Sequence, residues 1–431
     1  MNANLDNLPD KTNQVAAAIS THFGTGALTE LTQRIRVWAR ELGFNGLGIT
    51  DTDLSAAEPG FLAWLAAGFH GEMDYMAKHP SRRIQPAELV AGTVRVISVR
   101  MPYLPAQAGL NHQPELAHQP PTDKSLASST AGPSPVQADW RVTEHARLAD
   151  PTQAVISIYA RGRDYHKVLR KRLQKLTDRI MAEIGPFGYR VFTDSAPVFE
   201  VALAQKAGLG WRGKHTLLLH RDEGSLFFLG EIYIDLPLPV DLPPSLEPPS
   251  IADSSNDQST GNGAYCGRCT RCIDVCPTGA IVAPYRLDAR LCISYLTIEL
   301  KGSIPEPLRP LLGNRVYGCD DCQLVCPWNK FASPSSVGDF EVRNQLDQAS
   351  LIELFNWSES EFEMRLAGSA IRRIGHQRWL RNLAVGLGNA RRAAQAAGRQ
   401  LEHRQLTEAL QQRVQDSSAL VREHVQWALG Q

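Results

Sequence analysis

The cysteines of this chain constrain it more than any other feature. There are eight, all between Cys266 and Cys326, and none stands before or after that stretch. The first run reads Cys266-x2-Cys269-x2-Cys272-x3-Cys276-Pro277. The second reads Cys319-x2-Cys322-x3-Cys326-Pro327, and Cys292 lies between the two. A secreted disulfide scaffold would be short and would spread its cysteines through the chain. Close thiolates in one small module suit a soft metal centre instead. Three cysteines at x2 spacing can wrap one face of a cubane, and in two-cluster ferredoxins the cysteine before the proline ligates the other cluster. The spacing therefore predicts two [4Fe–4S] clusters. One takes Cys266, Cys269, Cys272 and Cys326; the other takes Cys276, Cys292, Cys319 and Cys322. Position 316, where an ordinary ferredoxin would carry the first cysteine of its second run, is Val316, so Cys292 fills that corner. A structural zinc module is the alternative, although zinc sites usually pair C-x2-C elements without the triple run or the Cys-Pro ending.

The rest of the chain must serve this module. Its 431 residues suggest two to four domains. Residues 1–27 read as a loose arm. Segment 28–43 has helical spacing, with Leu31, Ile35, Trp38 and Leu42 on one face. Strands are expected at 43–50, 94–101, 154–160, 189–193, 215–220 and 226–234. Helices are expected at 59–69, 164–185 and 197–208. Strands alternating with helices predict an α+β domain over 28–236. A Pro-rich, low-complexity insertion at 106–150 is expected to be a poorly packed loop. Residues 237–262 read as a Pro/Ser-rich connector, 263–335 as the ferredoxin-like domain and 336–431 as a helical region of short paired helices. Lys+Arg 45 balances Asp+Glu 45, so no global field attracts nucleic acid. No apolar run reaches the ~18–20 residues of a membrane span, and the N-terminus lacks the order of a secretory signal. A cytoplasmic monomer is the expectation.

Clusters move single electrons, so the preceding domain is expected to hold an acceptor. It has no G-x-G-x-x-G after a strand, which removes the usual nicotinamide site. GLGWRGKH (208–215) lacks the P-loop ending, but could pack against a planar cofactor. Asp194 follows a strand. Its bland reading is a helix N-cap ahead of Ser195 and Pro197; its functional reading is a general acid whose pKa burial raises. Asp164, Tyr165 and His166 stand at a strand-to-helix junction, where they could cap or orient a substrate. Segment 161–179 holds eight Lys/Arg, and 361–400 holds eight arginines. Such clusters can track phosphates or merely face solvent.

With these residues in view, the chain closely resembles the epoxyqueuosine reductases, cobalamin-dependent iron–sulfur enzymes of tRNA modification. The matching stretches are 62–79, 91–105, YARGRDYHKVLRKRL (159–173), VFTDSAPVFE (191–200), AGLGWRGKHTLLL (207–219), CPTGAI (276–281), CDDCQLVCPWN (319–329) and GSAIRRIGHQRWLRNLAVGLGNA (368–390). The resemblance implies a nitroreductase-like cobalamin-binding domain, a two-[4Fe–4S] ferredoxin-like module and a C-terminal HEAT-like helical domain that docks tRNA. It implies reduction of epoxyqueuosine to queuosine at wobble position 34, the last step of queuosine biosynthesis. The substrate would be a tRNA with a GUN anticodon, and electrons would pass from an external low-potential donor through the clusters to base-off cobalamin. Asp194 becomes the implied proton donor. Tyr165, His166, Gly210, Trp211, Gly213, Lys214 and His215 become cobalamin or substrate contacts, with His215 where the family commonly has Asn. Arg372, Arg373, Arg378 and Arg381 become the implied tRNA contacts, while Trp379 reads as core. The rivals are a corrinoid reductive dehalogenase-like enzyme and a non-catalytic electron-transfer protein.

Overall fold

A computed structural model describes residues 25–106, 139–241 and 265–431. The arm, most of the insertion and most of the connector lie outside the described residues. Helix α1 (Thr25–Glu41) leads into strand β1 (Gly46–Thr50), and β2 is Arg95–Pro102. Helix α2 is Trp140–Ala149 and α3 is Tyr165–Ile184. Strand β3 (Tyr189–Phe192), helix α4 (Glu200–Lys206) and strand β4 (Phe227–Ile234) follow. The four strands form one antiparallel sheet in the order β1-β2-β4-β3. Both central strands are almost continuously buried, so they read as near-unbroken apolar runs rather than alternating ones.

Helix α3 shows why its sequence could be read. Val168, Leu169, Leu173, Leu176 and Ile180 are buried, while Lys167, Arg170, Lys171 and Lys175 are exposed on the opposite side. The Asp164 side chain accepts the His166 N–H as N-cap, and Gly185 ends the helix at φ 83°. Asp164 therefore caps, as its bland reading held.

Three expectations need correction. The low-complexity insertion ends earlier than 150, because α2 occupies Trp140–Ala149. Asp139 caps α2, and its buried Glu144 accepts from Arg161 at 2.7 and 2.6 Å and from Arg147. The inward face runs Trp140, Glu144, Leu148, so an ion-paired acid interrupts the apolar stripe and hydropathy does not show the helix. The strand expected at 154–160 shrinks to Val155–Ile156, which pairs in parallel with Arg315–Tyr317. Beyond it the Asp320 carboxylate takes the Ile158 N–H at 2.8 Å and the chain turns into a 3₁₀ helix, Ile158–Ala160. The strand expected at 215–220 is two residues of a hairpin, Leu218–Leu219 against Trp211–Arg212.

The cysteine module is fused to the sheet domain by buried polar contacts. Asn329 accepts the Ser225 N–H at 2.6 Å and donates to Gln323 O at 2.7 Å. In its middle lies helix α5 (Ile293–Ile298), which begins directly after Cys292. The C-terminal region is helical as expected: Leu351–Phe355, Glu359–Arg365, α6 (Gly375–Ala396), α7 (Gln400–Gln411) and α8 (Ala419–Leu429). Its core is shared. Ala154, Ile156, Ala160, Val316 and Tyr317 pack with Trp379, Leu383 and Leu387 of α6. Trp379 is fully buried core, stacked near Trp357. No helix among the described residues is long and apolar enough to cross a membrane.

Candidate active site and metal centres

Asp194 follows β3 in a left-handed conformation, φ 54°. Aspartate is one of the few residues besides glycine that adopts this conformation readily. The next helix begins at Glu200, with Phe199 at its N-cap position and no side-chain cap. Asp194 therefore caps nothing. Instead, Tyr165 Oη donates to its Oδ2, and His166 Nε2 lies 3.1 Å from the same oxygen. The other ring nitrogen of His166 lies 2.8 Å from Asp164 Oδ1. Tyr165 is clamped between the rings of His166 and Phe228, at 4.0 and 4.3 Å. Asp194 keeps 48% of its side chain exposed, so it sits at the open mouth of this cluster.

The electrostatics run opposite to the expectation of a raised Asp194 pKa. Burial by the neighbouring chain works against its ionisation. The hydrogen bonds from His166 and Tyr165, with the charges of His166 and Arg373, outweigh that and lower it. His166 is the counterpart: burial alone would lower it, but the two carboxylates push it up to about 9. Near neutral pH the pair holds an aspartate and an imidazolium, and the proton rests on His166. Behind them stand two more carboxyls. Glu200 accepts the Asp194 N–H at 2.6 Å and is pushed up to about 8 by burial and by the Asp194 charge. Glu231, on β4, is fully buried with no hydrogen-bond partner on either oxygen, and burial raises it well above the carboxylate range. Neither glutamate was singled out from the sequence. Glu231 could have been: it is the one acid inside an otherwise apolar strand.

The glycine-rich segment goes to a different place. Its hairpin packs on the cysteine module: Trp211 lies 4.5 Å from Tyr265 and 5.2 Å from Trp328, within an apolar cluster that includes Cys326 and Cys266. Lys214 Nζ donates to Gly267 O at 2.7 Å and Cys269 O at 3.1 Å, bracing the loop that carries the first cysteines. The glycines are explained by close packing. A Cβ on Gly210 would lie 2.1 Å from Leu219 O, and one on Gly213 would lie 2.7 Å from the Leu219 side chain. His215 is buried, accepts the Leu217 N–H at 3.2 Å and is held neutral, its pKa pushed down to about 4 by burial. Thus Tyr165, His166 and Asp194 come together, whereas Gly210, Trp211, Gly213, Lys214 and His215 cluster beside the module.

All eight cysteines are free of disulfides. Cys326 feels the charges of Cys266, Cys272 and Cys269; Cys322 feels Cys292, and Cys292 feels Cys276. Cys319 feels Cys322. Cys322 also feels Cys272, so the thiols of the two runs influence one another. Burial pushes Cys272 and Cys326 up to about 11, so the thiols need a cation to become thiolates. Ala280 N–H points at Cys276 Sγ at 3.3 Å, a contact that favours a sulfur carrying charge. Among the described residues, no three His, Cys, Asp or Glu side chains converge on a single-ion position.

The four arginines expected to meet tRNA divide. Arg372 pairs with Glu363, and Arg373 with Glu299 at 3.0 Å; both are substantially exposed. Arg381 is a correction: it is fully buried and donates to Leu296 O, Leu300 O and Gly302 O at 2.7–2.8 Å. Arg378 donates to Ile298 O at 2.9 Å, and Asn382 to Thr297 O at 2.8 Å. The orphan carbonyls at the C-terminal end of α5 are thus satisfied by α6 side chains. Arg378 and Arg381 anchor the helix that starts after Cys292. A sequence motif rich in arginine does not distinguish this from a phosphate track.

A family model described as a 4Fe-4S double cluster binding domain matches residues 265–329, which include every cysteine. One described as epoxyqueuosine reductase QueG, DUF1730, matches residues 136–195, ending just past Asp194. The epoxyqueuosine reductase of Burkholderia pseudomallei is 61% identical over 419 residues, covering 96% of each chain. The chain belongs to the epoxyqueuosine reductase family. The epoxyqueuosine reductase of Escherichia coli is 48% identical, covering 94% of this chain and 90% of that one. A crystal structure of epoxyqueuosine reductase with an epoxyqueuosine-modified tRNA stem loop has a TM-score of 0.71 at 24% identity, covering 94% and 90%. The structure from Streptococcus thermophilus scores 0.69 at 23% identity, covering 93% and 89%. At that identity the likeness is one of fold, and its coverage takes in the sheet domain, the cysteine module and the helical region together. The family's cobalamin finds suitable chemistry here: Trp211 Nε1 and His215 Nε2 are buried and lack any protein partner among the described residues, so both can serve an amide-bearing ligand.

Proposed function

We propose that this chain reduces epoxyqueuosine to queuosine in tRNA, with Asp194 as the group that passes a proton to the departing epoxide oxygen. One observation carries the assignment: a half-exposed Asp194 carboxylate is held by Tyr165 and His166, and His166 stores the proton. The overall change consumes two electrons and two protons, converts the epoxide to an alkene and releases its oxygen as water. When bound, the clusters and a cobalamin supply low-potential electrons to the epoxide carbons. Everything else falls to side chains. Cys266, Cys269, Cys272 and Cys326 would hold one cluster, and Cys276, Cys292, Cys319 and Cys322 the other. Trp211, His215, Tyr165 and His166 would hold the cobalamin, and Lys214 fixes the cluster loop.

As the C–O bond breaks, negative charge builds on oxygen. Asp194 takes the His166 proton and passes it to that oxygen, and Tyr165 locks both in place. Arg373 lies close enough for its charge to act on Asp194, Tyr159, Tyr165 and Tyr317. It is therefore suited to a phosphate beside the reacting nucleotide. The exposed Lys167, Arg170 and Lys171 of α3 begin one residue after His166 and continue the positive surface. Anticodon base 34 would leave its stack to reach Asp194.

The test is single turnover of an epoxyqueuosine-containing stem loop by the anaerobic holoenzyme. Asp194→Asn should keep iron and corrinoid content and lose activity by about 10²–10⁴-fold, the usual worth of a positioned proton donor. Full activity in that variant would overturn the role of Asp194.

A further inference from the structure

In GEMDYMAKH (71–79) the two methionines face inward and the tyrosine faces out. Met73 packs against the core of Ile293, Tyr295 and Leu296, and Met76 against the core of Phe192, Val198 and Tyr233. Tyr75, between them, is the most exposed aromatic side chain among the described residues, at 52%. A lone exposed ring is ordinary on a protein surface; this one is fixed at a particular place. On one side the Glu72 N–H donates to Tyr295 Oη at 2.8 Å, and Glu72 Oε2 accepts the Lys301 N–H at 3.0 Å. Tyr295 and Lys301 flank Glu299, the partner of Arg373. On the other side the Arg83 guanidinium donates to Tyr75 O at 3.3 Å and to Val198 O at 3.5 Å. Val198 belongs to the loop that carries Asp194. Tyr75 therefore stands between the Asp194 loop and the Arg373–Glu299 pair, on a segment anchored from both.

We propose that the Tyr75 ring is the surface on which base 34 stacks once it has left the anticodon loop. This rests on the function proposed above and deepens it by naming the side chain that receives the substrate's base. A nucleotide whose phosphate meets Arg373 and whose epoxide meets Asp194 lays its planar base between them, where Tyr75 stands. Single-stranded RNA bases are commonly held on aromatic faces, and an extruded base has lost its own stacking neighbours. The other tyrosines of the site are already engaged. Tyr165 is clamped between His166 and Phe228, and Tyr159 lies edge-on to Tyr165 and Phe228 at 5.8 and 6.2 Å. Burial by the surrounding segments, with the charges of Glu299 and Asp194, pushes the Tyr75 hydroxyl up to about 12, so the ring is an uncharged phenol near neutral pH. Because both anchors hold the segment before RNA arrives, little ordering entropy is spent when the base docks.

Tyr75→Leu and Tyr75→Phe test this in the full-length holoenzyme. Both keep the backbone carbonyl that Arg83 holds, so the segment keeps its anchors. Affinity is measured for two anticodon stem loops, one with epoxyqueuosine at position 34 and one abasic there. Tyr75→Leu should bind the base-bearing loop about tenfold more weakly and the abasic loop as the parent does. Tyr75→Phe should keep the parent affinity for both. Iron and corrinoid content should match the parent in each variant. An unchanged affinity in Tyr75→Leu overturns the proposal. So do equal losses on the two loops, because the contact would then be to the RNA backbone. A loss in Tyr75→Phe as large as in Tyr75→Leu overturns it in favour of the hydroxyl. A loss of corrinoid from Tyr75→Leu overturns it in favour of packing on the cofactor. If the parent enzyme binds the base-bearing loop but does not reduce it, the functional reading fails, while the paired affinities still decide whether Tyr75 receives the base.

Discussion

Replacing Arg381 by Met separates two roles that its sequence motif leaves confounded. In the structure the Arg381 guanidinium supplies donors to three backbone carbonyls, at Leu296, Leu300 and Gly302, and to Asn382 Oδ1. Methionine fills most of the volume and supplies none. A buried carbonyl left without a donor costs about 1–3 kcal/mol, so three cost roughly 3–9 kcal/mol before relaxation. Part of this is returned, because the variant no longer buries a cation, a penalty of several kcal/mol per ion. The burial penalty is visible in the guanidinium itself, whose pKa is pushed down to about 9 by burial and by Arg378. A net loss of roughly 2–5 kcal/mol follows. Its site matters as much as its size. One of the carbonyls, at Leu296, belongs to the last turn of the helix that begins after Cys292, and Leu300 and Gly302 lie just beyond it, so the second cluster should suffer first. Urea unfolding of the holoenzyme should show a lower midpoint at unchanged slope, and iron content should fall toward half. Affinity for a tRNA stem loop, measured as a function of salt, should keep its slope, because the substitution takes no cation away from a phosphate. An unchanged midpoint with weaker and less salt-dependent RNA binding would refute the structural role and restore Arg381 to the RNA surface.

The double-cluster module could be read from spacing alone because cluster ligation demands such runs; the corner given to Cys292 is an expectation that rests on Val316 at the position of the missing cysteine. The long helices were legible for the same kind of reason: α3 and α6 carry an apolar stripe, a cap or a glycine stop. What escaped was held by polar contacts between distant segments. Helix α2 can carry Glu144 between Trp140 and Leu148 on its inward face because Glu144 meets Arg161, seventeen positions on, and nothing local announces that pair. Arg378 and Arg381 resemble a phosphate track because arginine serves both RNA and carbonyl-rich helix ends; only the position of α5 decides between them. Asp194 stands out in the sequence as a functional residue, but its charge state does not. Its sign depends on His166, twenty-eight residues earlier, which the fold brings to 3.1 Å. The glycines of 208–215 suggested a cofactor floor, yet two of them answer to Leu219 across a hairpin.

Three further outcomes follow from the same geometry. Cys292→Ser should yield a chain with about half its iron, since its ligand set alone is incomplete; full iron content would show that Cys292 is not a ligand. Lys167→Ala with Lys171→Ala should weaken stem-loop binding and reduce the log–log salt slope by about one for each phosphate that is no longer neutralised, while turnover at saturating RNA is kept; an unchanged slope would remove α3 from the RNA path. The last concerns pH and stability. Glu200 and His166 both bind protons more tightly when folded, at about 8 against an ordinary 4.5 and about 9 against an ordinary 6.5. Between each pair of values the unfolded chain has released a proton that the folded chain keeps. Each group's stabilising contribution is therefore complete below its unfolded value and drains away as pH rises, at ~1.4 kcal/mol per pH unit, until the folded value is passed. Asp194 acts in the opposite sense, since its lowered pKa gives a contribution that disappears only as pH falls through the carboxylate range. Unfolding midpoints of the holoenzyme should thus decline from pH 6 to pH 8, and Glu200→Gln should make that decline shallower by removing one of the two protons. An equally steep decline in the variant would mean that Glu200 is already ionised in the folded protein.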